Sequence, residues 1–190
     1  MQPPVDYPFL TRDEFHKAAR LFADRAAMLD EPWQLVEETM NDDDDDGDDD
    51  EAWDVAAVAS SDDASGLEWT TWQYQIVYSP SYRLPVLYFH GWRADGTAIH
   101  LADLPAGLPP QLHLLQANVR AGHITQSSHS IHDMAAYQLH PCGSADLLRT
   151  VAESASMPLC RYLACWLSLV GPSAGLTISS KYIQPTSASS

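Results

Sequence analysis

The sequence predicts an α+β domain in which an antiparallel sheet is flanked by helices. Three observations lead to this prediction: an amphipathic helical segment near the start, two long apolar strand segments in the middle, and two helical segments near the end. Strands grouped between helices are typical of the α+β class rather than of alternating βαβ units. The 190 residues, of which 45% are hydrophobic, suffice for one domain with a sizeable core.

The first helix is predicted over residues 13–29. Thr11 and Glu14 form a T-x-x-E capping box at its start, and Pro32 ends the segment. The polar face mixes positive and negative charges, so we expect the helix to pack on the sheet rather than on a membrane. The residues Trp33–Val36 are predicted as a first strand. The apolar residues that recur at helical spacing are Phe15, Ala18, Phe22, Ala26 and Leu29.

An acidic segment interrupts the domain. We predict a disordered insertion at about 41–65, because nine of the 26 acidic residues lie within 42–51 and repel one another. The aspartates do not fit a calcium-binding EF-hand loop, since Trp53 stands where the bidentate glutamate is required. Trp53 remains a candidate docking point for a partner. With a flexible tail at 185–190, the single domain is predicted to cover 1–184.

The central strands show the clearest patterns. Residues 72–78 alternate so that the side chains at 72, 74, 76 and 78 share one apolar face, and residues 84–92 are apolar on both faces, as in a central strand. Asp95-Gly96 predicts a hairpin turn into another strand at 97–100. The later predictions are a helix at 111–119, an extended piece at 137–139, helices at 145–153 and from Pro158 onward, and a short strand at 176–183.

The three cysteines differ in their surroundings. Their odd number and the lack of a CxxC pair argue against a disulfide framework or a zinc site and favour a reducing compartment. Cys160 and Cys165 lie in an apolar helical segment, and we assign both to packing. Cys142 follows His140-Pro141 and precedes a predicted helix start, where the helix dipole increases the thiolate fraction. Cys142 is therefore the candidate nucleophile.

Two kinds of thiol chemistry could use Cys142. A cysteine peptidase needs a histidine base oriented by Asn or Asp, and no local signature pairs any of the eight histidines with this cysteine. We expect His140 to support the backbone of the corner instead. A thioester carrier needs only an exposed, moderately nucleophilic thiol, because the incoming acyl group is already activated. The histidines contain no HExxH motif, and His129-x-x-His132 alone does not define a metal site.

Charge and hydropathy exclude other functions. A net charge of −16 disfavours nucleic acid as a partner. No apolar run reaches the roughly 18 residues of a membrane span, so no stable membrane insertion is expected. The first residues lack the basic and apolar pattern of a signal peptide. We therefore expect a cytoplasmic protein.

Several blocks, taken in order, resemble the autophagy-related protein ten family of ubiquitin-like-conjugating enzymes. Their order and spacing carry the resemblance, which spans most of residues 9–182. The blocks are residues 78–89, Asp95-Gly96, Ile124-Thr125-Gln126 with His129, His140-Pro141-Cys142, and residues 166–172.

The resemblance implies a divergent core like that of ubiquitin-conjugating enzymes. Cys142 would accept autophagy-related protein twelve as a thioester from the activating enzyme, autophagy-related protein seven, and would transfer it to a lysine of autophagy-related protein five. The activating enzyme uses the ATP, so this chain would need no cofactor. The resemblance also implies recruitment to pre-autophagosomal sites.

The resemblance also raises a question about the site. Ordinary ubiquitin-conjugating enzymes carry His-Pro-Asn upstream of their cysteine, and this Asn donates to the oxyanion. Here the cysteine itself follows His-Pro, so another donor is needed. Tyr82 matches a family tyrosine near the active site and is the first candidate, and Asn118 is the second. Two alternative functions remain, an enzyme like autophagy-related protein three that modifies phosphatidylethanolamine, and an inactive scaffold of the same fold.

Overall fold

The helices of the protein lie beside an antiparallel sheet. The computed structural model describes residues 4–36, 54–57, 71–100, 117–118, 121–127, 136–152 and 157–184. The longer helices are α1 (Arg12–Met28), α2 (Ser144–Ala152) and α3 (Leu159–Val170). The strands are β1 (Trp33–Val36), β2 (Asp54–Ala57), β3 (Thr71–Ser79), β4 (Leu84–Trp92), β5 (Ile124–Ser127) and β6 (Ala136–Leu139).

The six strands form one sheet in the order β1-β2-β3-β4-β6-β5. Every neighbouring pair is antiparallel. The first four strands follow one another as a meander, and β6 then pairs with β4 and places β5 at the edge. This arrangement confirms the α+β class with an antiparallel sheet and flanking helices.

The helix α1 forms where its capping box predicts it. The Thr11 hydroxyl accepts from the backbone N–H of Glu14 at 3.2 Å, and the Glu14 carboxylate accepts from the backbone N–H of Thr11 at 2.8 Å. The helix buries the predicted apolar face, including Phe15 and Phe22. The Phe22 ring stacks on Tyr182 at 5.0 Å and meets the edge of Trp33 at 5.4 Å. These contacts hold α1 against β1 and the C-terminal segment.

The strand β4 is buried on both faces, as its continuous apolar run predicts. On one face Phe89 packs among the rings of Trp72, Tyr74 and Tyr137, with centroid distances of 6.3, 6.0 and 5.9 Å. On the other face lies a small second cluster, which consists of Val77, Val86, Tyr88 and Ala136. The second cluster explains why Val77, outside the predicted apolar face of β3, is buried.

The predicted acidic insertion at 41–65 is wrong in one part. Residues Asp54–Ala57 form β2, which pairs with β1 on one side and β3 on the other. The charge pattern does not predict this strand, because its short apolar stretch from Val55 to Ala57 lies beside many aspartates. Backbone hydrogen bonds to two neighbours stabilise such a strand without large side chains. The rest of 41–65, including Trp53, and the tail at 185–190 lie outside the described residues.

Two further strand predictions are corrected. The segment at 97–100 follows the turn after β4 and returns beside β4, where it makes a single bridge, between Trp92 and Ala98, instead of a strand. Gly96 occupies a left-handed conformation in this turn, with φ of 81°, as the Asp-Gly signal predicts. The predicted strand at 176–183 is wrong, since Ser180–Tyr182 is a 3₁₀ helix. Tyr182 packs there on α1 rather than pairing with a strand.

Candidate functional site

The His140-Pro141-Cys142 corner joins the sheet to a helix. The strand β6 ends at Leu139, a 3₁₀ turn follows over Pro141–Gly143, and α2 begins at Ser144. Pro141 is buried, which anchors the turn. The backbone of Cys142 thus lies directly before the N-terminus of a nine-residue helix, as the sequence predicts. The partial positive charge at that end favours a thiolate over a neutral thiol.

The structure brings Tyr82 to this corner. Its ring meets the ring of His140 edge to face, with a centroid distance of 5.8 Å and an interplanar angle of 77°. The side chain of Tyr82 is 43% exposed, so solvent or a partner protein can reach it. Tyr82 and His140, two predicted site residues that are distant in the chain, therefore lie together. The contact also fits the predicted role of His140 as a supporting residue.

The turn that presents Tyr82 is held by backbone bonds. The N–H of Arg83 donates to the Ser79 carbonyl at 2.7 Å, and the carbonyl of Arg83 accepts from Leu10 at 2.9 Å. Arg83 itself has a φ of 53°, a conformation that costs energy for a residue with a Cβ. Its guanidinium pairs with Asp6 at 3.0 Å, which adds a contact to the same segment.

Sequence reasoning missed the part that the N-terminal segment plays in this site. The hydroxyl of Tyr7 donates to the Leu148 carbonyl in α2 at 2.9 Å, and the hydroxyl of Tyr162 in α3 donates to the Pro8 carbonyl. The guanidinium groups of Arg83 and Arg149 lie over the Phe9 ring, at 5.7 and 5.4 Å from its centroid. The segment thus ties the Tyr82 turn to α2. No periodic pattern marks such an irregular segment in the sequence.

The second candidate donor, Asn118, also connects to the corner. Its side-chain oxygen lies 3.1 Å from Nδ1 of His123. The carbonyl of His123 accepts from the backbone N–H of His140 at 3.0 Å. Asn118, His123, His140 and Tyr82 are therefore linked by consecutive contacts around the corner that carries Cys142.

The other two cysteines lie elsewhere, on α3. Cys165 is half-buried, and burial raises the pKa of its thiol although Arg161 opposes the shift. Cys160 is also half-buried and lines a cavity of about 370 Å³ between α1 and α3, together with Arg25 and Tyr182. Neither cysteine lies in the turn that precedes α2.

Two features are absent from the described part of the chain. Among the residues with described positions, no group of three or more His, Cys, Asp and Glu side chains is placed to hold a metal ion. None of the helices in the same residues is both long enough and apolar enough to cross a membrane. His129, which belongs to the resemblance, lies outside the described residues.

Comparison with known proteins identifies the family. The family described as autophagocytosis associated protein, active-site domain, matches residues 4–181. Ubiquitin-like-conjugating enzyme ATG10 of Arabidopsis thaliana is 35% identical over 56% of this chain, and that of Homo sapiens is 32% identical over 66%. These alignments cover 50% and 58% of the two relatives, so the chain matches little more than half of their length.

A solved structure is also similar. It is described as the crystal structure of the autophagic E2 Atg10, and the match covers 88% of this chain and 99% of the other, with a TM-score of 0.45 and 16% identity. The family match extends over nearly the whole chain and includes the Tyr82 turn and the His140-Pro141-Cys142 corner. The chain belongs to the family of autophagocytosis-associated proteins that share this active-site domain.

Proposed function

We propose that this protein is a ubiquitin-like-conjugating enzyme that carries autophagy-related protein twelve as a thioester on Cys142. It transfers this modifier to a lysine of autophagy-related protein five. The activating enzyme, autophagy-related protein seven, uses the ATP, and this chain itself needs no cofactor. The observation that supports the proposal most directly is the 3₁₀ turn that sets Cys142 at the start of α2, beside His140 and the exposed Tyr82.

The proposed reaction has two acyl transfers. In the first, the Cys142 thiolate attacks the thioester carbonyl that joins the modifier to the activating enzyme. A new carbon–sulfur bond forms, and the cysteine of the activating enzyme leaves as a thiolate. In the second, a lysine amine attacks the Cys142 thioester, an isopeptide bond forms, the Cys142 thiolate leaves, and the amine loses its extra proton to solvent. The positive end of α2 stabilises the thiolate in both steps.

In the second transfer, the attack of the lysine amine forms a tetrahedral oxyanion, which needs a hydrogen-bond donor. We propose the hydroxyl of Tyr82 as a donor to this oxyanion or as the group that positions the lysine. Its exposure and its contact with His140 support this role. Asn118 is the second candidate donor, because His123 connects it to the same corner. His140 supports the corner through the ring contact and its backbone bond.

The Tyr82→Phe variant separates these roles from a structural one. Loading with the modifier should remain near normal, while transfer to the acceptor slows about tenfold, a fraction of the 10²–10³ that loss of a full oxyanion donor costs. Folding should change little, since the side chain is exposed. The measurement is a pulse-chase comparison of loading and discharge rates. An equal loss in both steps, with a lower melting temperature, would assign Tyr82 to folding instead.

The proposed function is tested by reconstitution. The chain is incubated with the activating enzyme, ATP and autophagy-related protein twelve, and a thiol-sensitive adduct is expected on gels. Addition of autophagy-related protein five should convert it into a thiol-resistant conjugate. A folded chain that forms no adduct would be the inactive scaffold. An adduct that ignores protein five, yet discharges a modifier onto vesicles containing phosphatidylethanolamine, would indicate the other conjugating activity.

A further inference from the structure

Arg83 ends the turn between β3 and β4 in a backbone conformation that an arginine disfavours. Ser79 pairs with Leu84, so residues 80–83 form the loop, and Arg83 is its last residue. Its φ of 53° lies in the left-handed region, which costs energy for a residue with a Cβ. Among the described non-glycine residues, Asp30 also has a positive φ, but aspartate tolerates that region. Such an outlier at position 83 points to a use for its side chain.

The side chain of Arg83 contacts the N-terminal segment. Its Nη1 donates to the Asp6 carboxylate at 3.0 Å, and its guanidinium lies 5.7 Å from the centroid of the Phe9 ring. The N–H of Phe9 donates to the carbonyl of Asp6 at 2.9 Å, so these two contact residues are held together. The backbone adds a bond, since the N–H of Leu10 donates to the carbonyl of Arg83 at 2.9 Å. Arg83 thus fastens the turn to residues 6–10 through both its side chain and its backbone.

The same N-terminal segment contacts α2. The hydroxyl of Tyr7 donates to the Leu148 carbonyl at 2.9 Å, and the guanidinium of Arg149 lies 5.4 Å from the centroid of the Phe9 ring. The helix α2 follows directly on the 3₁₀ turn that contains Cys142. The N-terminal segment therefore connects the turn between β3 and β4 to the helix that begins beside the candidate nucleophile.

Tyr82 is the residue that these contacts place. It directly precedes Arg83, so the direction of its side chain depends on the backbone of the turn. The side chain of Tyr82 is 43% exposed, and its ring meets that of His140 edge to face. A side chain with so much exposure is fixed less by packing than by the backbone that carries it. The contacts of Arg83 therefore help to decide where the Tyr82 hydroxyl lies.

We propose that Arg83 is a positioning residue that holds the Tyr82 hydroxyl at the His140-Pro141-Cys142 corner for transfer of the modifier to the acceptor lysine. The inference rests on the proposed function, because it needs a Tyr82 hydroxyl that acts in the second acyl transfer. It goes beyond that function by assigning a role to a side chain that touches neither the modifier nor the lysine. Arg83 acts through the N-terminal segment and through the backbone of the turn.

The test uses purified protein charged with the modifier, from which single-turnover discharge is measured over a range of acceptor concentrations. Arg83→Gly should load normally and reach a maximal discharge rate roughly tenfold lower, within the roughly hundredfold that a misplacement of about 1 Å can cost. The half-saturating acceptor concentration should stay the same, because Arg83 does not bind the acceptor.

The stability of Arg83→Gly separates positioning from folding. Glycine removes the strain of the left-handed conformation, which offsets the lost ion pair and the greater freedom of glycine in the unfolded chain. The melting temperature should therefore change by less than about 4 °C. A slower discharge that comes with a large fall in melting temperature would assign Arg83 to folding and would overturn the inference.

Two further variants supply the rescue and the control. In Arg83→Lys an ammonium can still pair with Asp6 and lie over the Phe9 ring, so discharge should stay within about threefold of the wild type. Arg93→Gly is the matched control. Arg93 is also an exposed arginine that interacts with an aspartate, Asp95, but it lies at the other end of β4. This control should load and discharge as the wild type does.

A double-mutant cycle connects the effect to Tyr82. In the Tyr82→Phe background there is no hydroxyl to place, so Arg83→Gly should slow discharge further by less than about twofold. Losses that multiply in the double variant would show that Arg83 acts by another route and would overturn the inference.

The outcomes distinguish this inference from the proposed function. A wild type that loads and discharges, together with Arg83→Gly discharging at the same rate, would overturn the role of Arg83 alone. An Arg83→Lys variant as slow as Arg83→Gly, or a Tyr82→Phe variant as fast as the wild type, would also overturn it and leave the thioester chemistry intact. A folded wild type that forms no thioester would overturn the proposed function and with it the catalytic purpose of these contacts.

Discussion

Replacement of Cys142 by alanine is expected to abolish the thiol-sensitive adduct with autophagy-related protein twelve. The reason is chemical, because no acyl group can be carried without the sulfur. Cys142→Ser should still accept the modifier slowly and should trap it as an oxyester that survives thiol treatment and yields to alkali. Non-reducing and reducing gels of the loading reaction measure both outcomes. Both variants should keep the melting temperature of the wild type within a few degrees, which separates lost chemistry from lost folding.

The other cysteines are the controls for this result. Cys160→Ser and Cys165→Ser should load at nearly the normal rate, since both residues lie on α3 and outside the turn that precedes α2. The raised pKa of Cys165 also makes it a poor nucleophile at neutral pH. If Cys160→Ser lost the adduct while Cys142→Ala still formed it, the thioester would have to be assigned to Cys160, at the cavity between α1 and α3. That result would contradict the proposed site.

Replacement of Phe89 by alanine is expected to have the largest effect on stability. Phe89 is fully buried, and its ring contacts those of Trp72, Tyr74 and Tyr137. Truncation of a buried phenylalanine costs about 3–5 kcal/mol through lost burial and the cavity left behind. This is a large part of the roughly 5–15 kcal/mol that stabilises a typical domain. The melting temperature should fall by on the order of 10 °C.

The matched control for Phe89→Ala is Met28→Ala. Met28 is also a large apolar residue, but its side chain is 74% exposed at the end of α1. Its truncation should change the free energy of unfolding by less than about 0.5 kcal/mol. Denaturant unfolding monitored by circular dichroism gives both values. Equal effects in the two variants would show that the cluster around Phe89 does not anchor the sheet.

Much of the fold could be predicted from local patterns. The capping box at Thr11, the proline after α1, the continuous apolar run of β4 and the Asp95-Gly96 turn each act within a few residues, so their structures follow from the adjacent sequence. The strand β2 could not be predicted in this way. Its four residues carry little apolar surface, and they become a strand because β1 and β3 supply hydrogen bonds on both sides.

The candidate site also combines features that follow from local sequence with features that depend on tertiary packing. His140-Pro141-Cys142 can be found from the sequence, because a proline corner before a helix start is a local pattern and determines where the cysteine's backbone lies. The contact of Tyr82 with His140 and the support from the N-terminal segment join residues that are distant in the chain. No spacing rule predicts them, since they depend on how the sheet and helices pack.

The sequence by itself determined the fold class, the caps and turns, the candidate nucleophile and the resemblance to a family. Each of these rests on short-range patterns or on the order of motifs. Tertiary structure decided which polar groups lie near the backbone of the His140-Pro141-Cys142 corner. The pairing of β5 with β6 places His123 opposite His140, and the side chain of Asn118 lies beside that of His123. The physical reason is that hydrogen bonds between separate elements exist only after the backbone has set their register and distance.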